Sequence, residues 1–190
     1  MKKPIASLML TALCAPLAFG QNGLVREAAL ARIPLAKTVA SDPEVLQALR
    51  ARNAAPESLD EIRRKDAGWT ANPKHPLRQQ LTSSLCAQRL RGLTQSEPMV
   101  TEVILMDARG ANVCISRETS DYWQGDEAKF QKTFGADKEV YLEEPAFDVS
   151  SGTYAVQLTV LVLDGKAKAG ALTLTLRVRK DALAPTEGRP

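Results

Sequence analysis

Two long apolar–polar alternations stand back to back near the C-terminus, and they constrain the fold more than any other feature of the chain. Leu172, Leu174, Leu176 and Val178 alternate with Thr173, Thr175, Arg177 and Arg179, the period of two of a strand that buries one face. Tyr154, Val156, Leu158, Val160 and Val162 repeat the pattern upstream, and Asp164-Gly165-Lys166 lies between the two runs as a turn. The spacing predicts an antiparallel hairpin, its first strand ending near Leu163 and its second running from Gly170 to Arg179.

A second hairpin lies upstream. Val100 to Asp107 reads as a strand, Asp107-Ala-Arg-Gly110 has Asp and Gly at the first and fourth positions of a type I turn, and Asn112 to Ser116 returns. Helix signals gather before it. Leu24, Ala28, Ala29 and Ile33 keep helical spacing until Pro34, which should kink or end that helix. Ser41-Asp-Pro-Glu44 pairs a capping box with an early Pro, ahead of Val45, Ala48 and Leu49 on one face, and Ser58-Leu-Asp-Glu61 repeats the box. Trp69 precedes the breakers Asn72-Pro73 and His75-Pro76 and is expected to plug the core rather than meet a ligand. Pro76 to about Leu93 reads as one longer helix lying across the sheet, with Leu77, Leu81, Leu85 and Leu90 as its stripe and Gly92 as its stop. Strands late and helices early make the class α+β, an antiparallel sheet of about five strands with N-terminal helices packed on one side. The expected organisation is a helical lead-in over residues 21–75, a sheet domain over 76–180 and a flexible tail over 181–190.

Residues 1–20 look like a secretory leader. Lys2 and Lys3 precede an uncharged run from Pro4 to Phe19, and Ala18-Phe-Gly20 supplies the small residues a signal peptidase needs. The run is shorter than the roughly 20 apolar residues that span a bilayer, and Ala15-Pro16 interrupts its end, which favours cleavage near Gln21 over a retained anchor. Cys14 lacks the flanking residues of a lipoprotein signal. The expected location is therefore the periplasm. Removing the leader takes away Lys2 and Lys3 and leaves 23 basic against 22 acidic side chains, a near-neutral balance that argues against nucleic acid as a partner. Arg63-Arg64-Lys65, the one compact basic run, is flanked by Asp60, Glu61 and Asp66 and reads as a solvated helix face.

Cys86 and Cys114 remain after processing. An oxidising compartment permits a disulfide between them, worth roughly 3 kcal/mol in the chain-entropy model, and two separate buried thiols are the other reading. No Cys-x-x-Cys is present, so redox catalysis and structural zinc lack their usual spacing, and no metal or cofactor is expected. Enzyme signatures are missing too. His75, the one histidine, is set between Lys74 and Pro76, far in sequence from any Ser or Cys nucleophile. The neighbouring acids Asp126-Glu127 and Glu143-Glu144 point in different directions along a regular element. The chain is not expected to be an enzyme.

The segment after the first hairpin, Thr119-Ser-Asp-Tyr-Trp-Gln-Gly-Asp-Glu-Ala-Lys129, crowds rings and carboxylates together, and Ala146-Phe-Asp-Val-Ser-Ser-Gly-Thr-Tyr154 sets an Asp before a Ser/Gly turn. Asp126 is placed to cap a short helix that carries Phe130 and Phe134 one turn apart. In order and spacing these pieces, with the closing hairpin, resemble the PAS-like extracytoplasmic sensor domains called Cache or PDC domains, and the stand-alone periplasmic members above all. The resemblance covers roughly Pro76 to Val178. It implies a pocket in which aromatic and basic residues after the second strand, and an Asp before the next long strand, hold a small polar metabolite. Tyr122, Trp123 and Asp148 match by position, Tyr154 opens the strand that follows, and the basic member falls to Arg117 or Lys129. The family pattern places Arg shortly before a Trp-Tyr pair, whereas this chain reads Tyr-Trp, so an amine or a carboxylate stands beside an amino acid as ligand. The function so implied is a binding domain that signals occupancy to a partner protein. The alternative is an interaction module of the same fold, its N-terminal helices pairing two copies or docking a membrane receptor.

Overall fold

The computed structural model describes residues 15–180, with side chains from residue 20 onward. The expected tail over 181–190 and most of the expected leader lie outside the described residues, and the first described helix, α1 (Ala15–Leu30), runs through the cleavage point expected at Gln21.

Six strands form one sheet: β1 (Val100–Met106), β2 (Asn112–Ile115), β3 (Val140–Leu142), β4 (Ala146–Asp148), β5 (Thr153–Asp164) and β6 (Ala167–Arg179). Their order is β2-β1-β6-β5-β3, with β4 also on β5, and every pairing is antiparallel. The central hairpin follows the expected alternation, pairing Leu158 with Leu174 and Val160 with Leu172. The strand beyond the expected five arises because β3 and β4, of three residues each, share the outer edge of β5 and are too short to show a period of two.

The apolar face of β1, β5 and β6 is covered by α1, α2 (Ile33–Ala40), α3 (Pro43–Ala54) and α6 (Leu85–Ser96). Val25, Ala29, Ala36, Ala40, Val45, Leu49, Ala87 and Leu90 come down on Val103, Leu105, Leu172, Leu174, Val156 and Leu158. The other helices serve the opposite face. Ile62 and Trp69 of α4 (Leu59–Ala71) and Leu81 of α5 (Pro76–Ser83) join a second core with Ile104, Met106, Ile115 and Ala171, which alternate with the first set along the same strands. The lead-in helices therefore close both faces, not one.

Local chemistry sets the breaks. The helix expected from Pro76 to Leu93 is two helices, because Ser84 is extended and its Oγ caps α6 by accepting Ala87 N at 3.1 Å. Asp42, rather than Ser41, caps α3, accepting Glu44 N at 3.0 Å with Pro43 in the first helical position. The Ser58–Glu61 capping box forms as read. Pro34 sits in the first turn of α2, after α1 has ended. His75 is put to structural use, its Nδ1 accepting Leu77 N at the start of α5 (3.3 Å). Cys86 on α6 and Cys114 on β2, their Cα atoms 6.0 Å apart, are joined as a disulfide.

Candidate functional site

The β1–β2 turn is the anchor of the site. Asp107 Oδ1 accepts the backbone N–H of Arg109 at 2.8 Å and of Ala111 at 3.0 Å, and Gly110 N closes the turn on Asp107 O at 3.0 Å. Gly110 has φ +79°, and a Cβ there would lie 2.3 Å from the Gly125 Cα, so the turn and the Tyr-Trp segment meet backbone to backbone. That segment lies along the turn like an added strand: Trp123 bridges Ala111, Gln124 N donates to Gly110 O at 2.8 Å, and Asn112 N donates to Tyr122 O at 3.0 Å.

Tyr122 is buried beside Trp69, ring centres 6.2 Å apart. Its hydroxyl accepts Arg52 Nη2 and donates to Glu57 Oε2 at 3.4 Å. Arg52 also reaches Glu57 at 2.7 Å and Asp107 at 3.0 Å, and Lys65 adds a second cation to Glu57. Burial opposes ionisation of Glu57, but the hydrogen bonds from Arg52 and Lys65 outweigh it and hold the carboxyl at about 2. Burial pushes the Tyr122 phenol well above its usual range against the attraction of Arg52. This group of charges is internally matched, and it fixes α3, α4 and the turn to one another. Trp123 is half-buried, donating Nε1–H to Arg109 O at 2.8 Å, with Arg63 5.5 Å from its ring centre. Asn112 is the one polar residue of this region left incomplete among the described residues: its Nδ2 serves Thr119 and Asp121, and its buried Oδ1 has no donor.

A roof follows. Helix α7 (Ala128–Phe130) widens into a π turn over Gln131–Gly135, a local irregularity frequent at functional sites. Glu127, not Asp126, precedes α7, and no side chain caps it. Phe130 and Phe134 stack at 5.1 Å as their spacing implies. The segment packs on β3, β5 and β6. Its buried polar residues are Thr133 and Lys129; the latter is 4 % exposed, and its Nζ donates to Glu127 Oε2 at 2.6 Å. The sheet face on this side carries Thr159 and Thr173, cross-strand partners whose buried hydroxyls lie 2.8 Å apart. A cation and three hydroxyls thus lie buried on the side of the sheet where an apolar core would otherwise be expected.

The six residues singled out in the sequence do not converge. Tyr122, Trp123 and Lys129 flank the face that bears Ile104 and Met106. Arg117 is exposed on the loop after β2. Tyr154 belongs to the helix-covered core, its hydroxyl donating to Gln21 Oε1 at 2.8 Å and its ring 4.8 Å from Phe147. Asp148 is spent on its own turn, accepting Ser150 N at 3.0 Å and the hydroxyls of Ser150 at 2.6 Å and Ser151 at 2.8 Å, which hold its carboxyl at about 2. Register gives the reason. Tyr154 pairs with Val178, whereas Met106 at the Tyr-Trp turn pairs with Ala171, seven residues away along β6 and so about 23 Å distant. Asp148 and Tyr154 therefore share no site with Tyr122 and Trp123.

Sequence reasoning missed Arg52, Asp66, Thr133, Thr159 and Thr173. Thr173 stood in the polar half of an alternation, where a buried hydroxyl and a solvated one look alike. Among open clefts, one of about 360 Å³ lies between α2 and α6, lined by Thr38, Val39, Asp42, Gln88, Arg89 and Leu93, and includes none of the six.

No family model and no curated protein matches the chain. Solved structures do. The sensor domain of the V. cholerae histidine kinase DctB superposes with a TM-score of 0.51 at 11 % identity, over 87 % of this chain and 54 % of that one. The ligand-binding domain of the Pseudomonas aeruginosa amino-acid chemoreceptor PctC, in complex with GABA, gives 0.50 at 14 % identity over 85 % and 59 %. A domain of a sensory box/GGDEF family protein from Vibrio parahaemolyticus gives 0.50 at 8 % identity over 85 % and 57 %. The chain spans little more than half the length of these structures. It has the fold of Cache/PDC-type extracytoplasmic sensor domains, α+β with an antiparallel sheet, as its sequence resemblance implied.

Proposed function

We propose that this protein is a periplasmic sensor domain that holds a small polar metabolite at the 122–135 segment, beside Lys129, and passes occupancy to a partner protein. The observation that carries the reading is Lys129, an ammonium 4 % exposed whose ion-pair partner among the described residues, Glu127, is itself 40 % exposed on its side chain. An ammonium has three N–H donors and is costly to bury without anions and acceptors around it. Glu127 supplies one such anion, a ligand carboxylate reaching Lys129 would add a second, and Glu127, part-exposed, would then meet a ligand ammonium. Phe130 and Trp123 border the same region with ring surface that excludes water. Amino acids and simple carboxylates are the ligand classes that fit. Binding rather than catalysis suits these groups, since His75 caps a helix and the Tyr122 phenol is held protonated. The leader reading of residues 1–20 belongs to the same proposal.

Thermal unfolding against a panel of amino acids, amines and organic acids tests it. A ligand at about 100 times its Kd stabilises by roughly 2.7 kcal/mol. At least one carboxylate-bearing compound is expected to shift the transition of the parent chain and not that of Lys129→Met, which keeps the bulk of the side chain and removes the charge. No stabilisation by any panel member, with a concentration-dependent dimer in solution, overturns the reading and favours an interaction module.

A further inference from the structure

Both ends of the described chain leave the domain beside the β4–β5 hairpin tip. Tyr154, just past that tip, donates to Gln21 on α1, and Lys180 N donates to Gly152 O at 3.2 Å. From Gln21 α1 runs away from the tip, since Arg26 meets Glu144 at 2.8 Å and Glu143 N donates to Gln157 O further along β5. Ala15 to Gly20 therefore extend the helix by about 9 Å from Gln21 toward the tip, at 1.5 Å per residue. The sequence from Pro4 to Phe19 contains no charged residue.

The tip presents apolar surface to solvent. Val149 is 83 % exposed and Phe147 40 %, and the rest of the tip is Ser150, Ser151 and Gly152. Cations border it: Arg177, Arg179 and Lys180 end β6, with Lys180 Nζ 5.6 Å from the Phe147 ring centre. Asp148, the carboxylate at the tip, is occupied by Ser150 and Ser151 and lies 3.5 Å from Arg177.

We propose that this end of the domain docks on an anionic membrane surface, with Val149 and Phe147 entering the headgroup region and Arg177 and Lys180 facing lipid phosphates. An exposed apolar pair ringed by cations is the composition that binds such a surface, through apolar burial together with attraction to anionic lipid. Val149, 83 % exposed among these cations, makes a lipid surface a better fit than an acidic protein, which the cations alone would suit. All of the docking residues lie beyond residue 20, so the surface survives removal of the leader. It is also remote from Lys129, and the two sites fail independently.

The exported protein, recovered from periplasmic extract, is sedimented with mixed phosphatidylglycerol–phosphatidylcholine vesicles and with phosphatidylcholine vesicles alone. Binding is expected to the mixed vesicles, weaker to the neutral ones, and to fall as salt rises. A Lys or Arg near an anionic surface is worth about fivefold in partitioning, so Lys180→Glu should lower binding roughly tenfold or more. Val149→Asp should lower it comparably, and Leu163→Asp, at an apolar residue 46 % exposed beside the opposite hairpin turn, should leave it unchanged. Because these side chains are exposed, all three variants should keep the parent's unfolding transition, and the ratio of variant to parent reads the tip even where residues 1–20 add binding of their own. Equal binding by Val149→Asp and parent overturns the proposal. So does failure to bind either vesicle, and a dimer dissolved by Val149→Asp would assign the tip to a second copy instead.

Discussion

Asp66 and Tyr122 are joined by a hydrogen bond from the Tyr122 N–H to Asp66 Oδ1 at 2.8 Å, and the same oxygen accepts Trp123 N at 3.0 Å. One carboxylate on α4 thus holds two successive amides of the candidate site. Asp66→Ala leaves both donors without it, and hydrogen bonds to a charged group contribute about 1.5–3 kcal/mol. The expected outcome is a loss of that order in denaturant unfolding, with faster amide exchange at Tyr122 and Trp123. Asp66→Asn, which keeps an acceptor, should recover part of both. Unchanged exchange at these two amides in Asp66→Ala would show that the segment is held by the β1–β2 turn alone.

Glu57 makes stability depend on acid. Its carboxyl is held at about 2, below the ordinary 4.5, chiefly by Arg52 and Lys65 against the cost of burial. A depressed carboxyl pKa stabilises the fold above the unfolded-state value, and that contribution is lost as pH falls through the folded-state value. The stability gap between the parent and Glu57→Gln should therefore be full above pH 4.5 and close as pH drops toward 2. Urea unfolding at a series of pH values measures it, and a gap independent of pH would refute the assignment.

The Cys86–Cys114 bond closes a loop of 28 residues' separation between α6 and β2. Constraining an unfolded loop of that size is worth roughly 3 kcal/mol. Reductant should lower the unfolding midpoint of the parent and leave that of the Cys86→Ala/Cys114→Ala double variant where it was. Immediate thiol labelling of unfolded, unreduced protein would contradict the bond.

Asp148 and Lys129 should separate cleanly. Asp148→Ala releases Ser150 and Ser151, so exchange at residues 149–152 should rise while the response to any panel ligand stays that of the parent. Lys129→Met should show the reverse pattern. Loss of ligand response in Asp148→Ala would place the pocket at the hairpin tip after all.

Much of this protein was legible in its residues. The alternations around Leu174 and Leu158 announced the central hairpin, Asp107 and Gly110 announced the β1–β2 turn, and Ser58 with Glu61 announced α4, because each is a local matter of side-chain period, turn geometry or capping. Trp69 is the plug its setting implied, fully buried with Nε1 donating to Thr119 O at 3.0 Å. The break at Ser84 was missed because the apolar stripe continues across it, although Ser-Ser before Leu85 is an N-cap signal.

What the sequence alone determined was therefore the set of elements, the residues that share a face within each, and the α+β class. Tertiary structure decided which face and which end of the sheet each loop reaches. Asp148 and Trp123 sit in similar-looking stretches of sequence, yet the antiparallel register sends one to the Val178 end of β6 and the other to the Ala171 end. Thr159 and Thr173 alternate with core residues just as solvent-facing threonines do, and they are buried because the 128–135 segment folds back over them from another part of the chain. A period of two names the two sides of a strand, but only packing says which of them meets water.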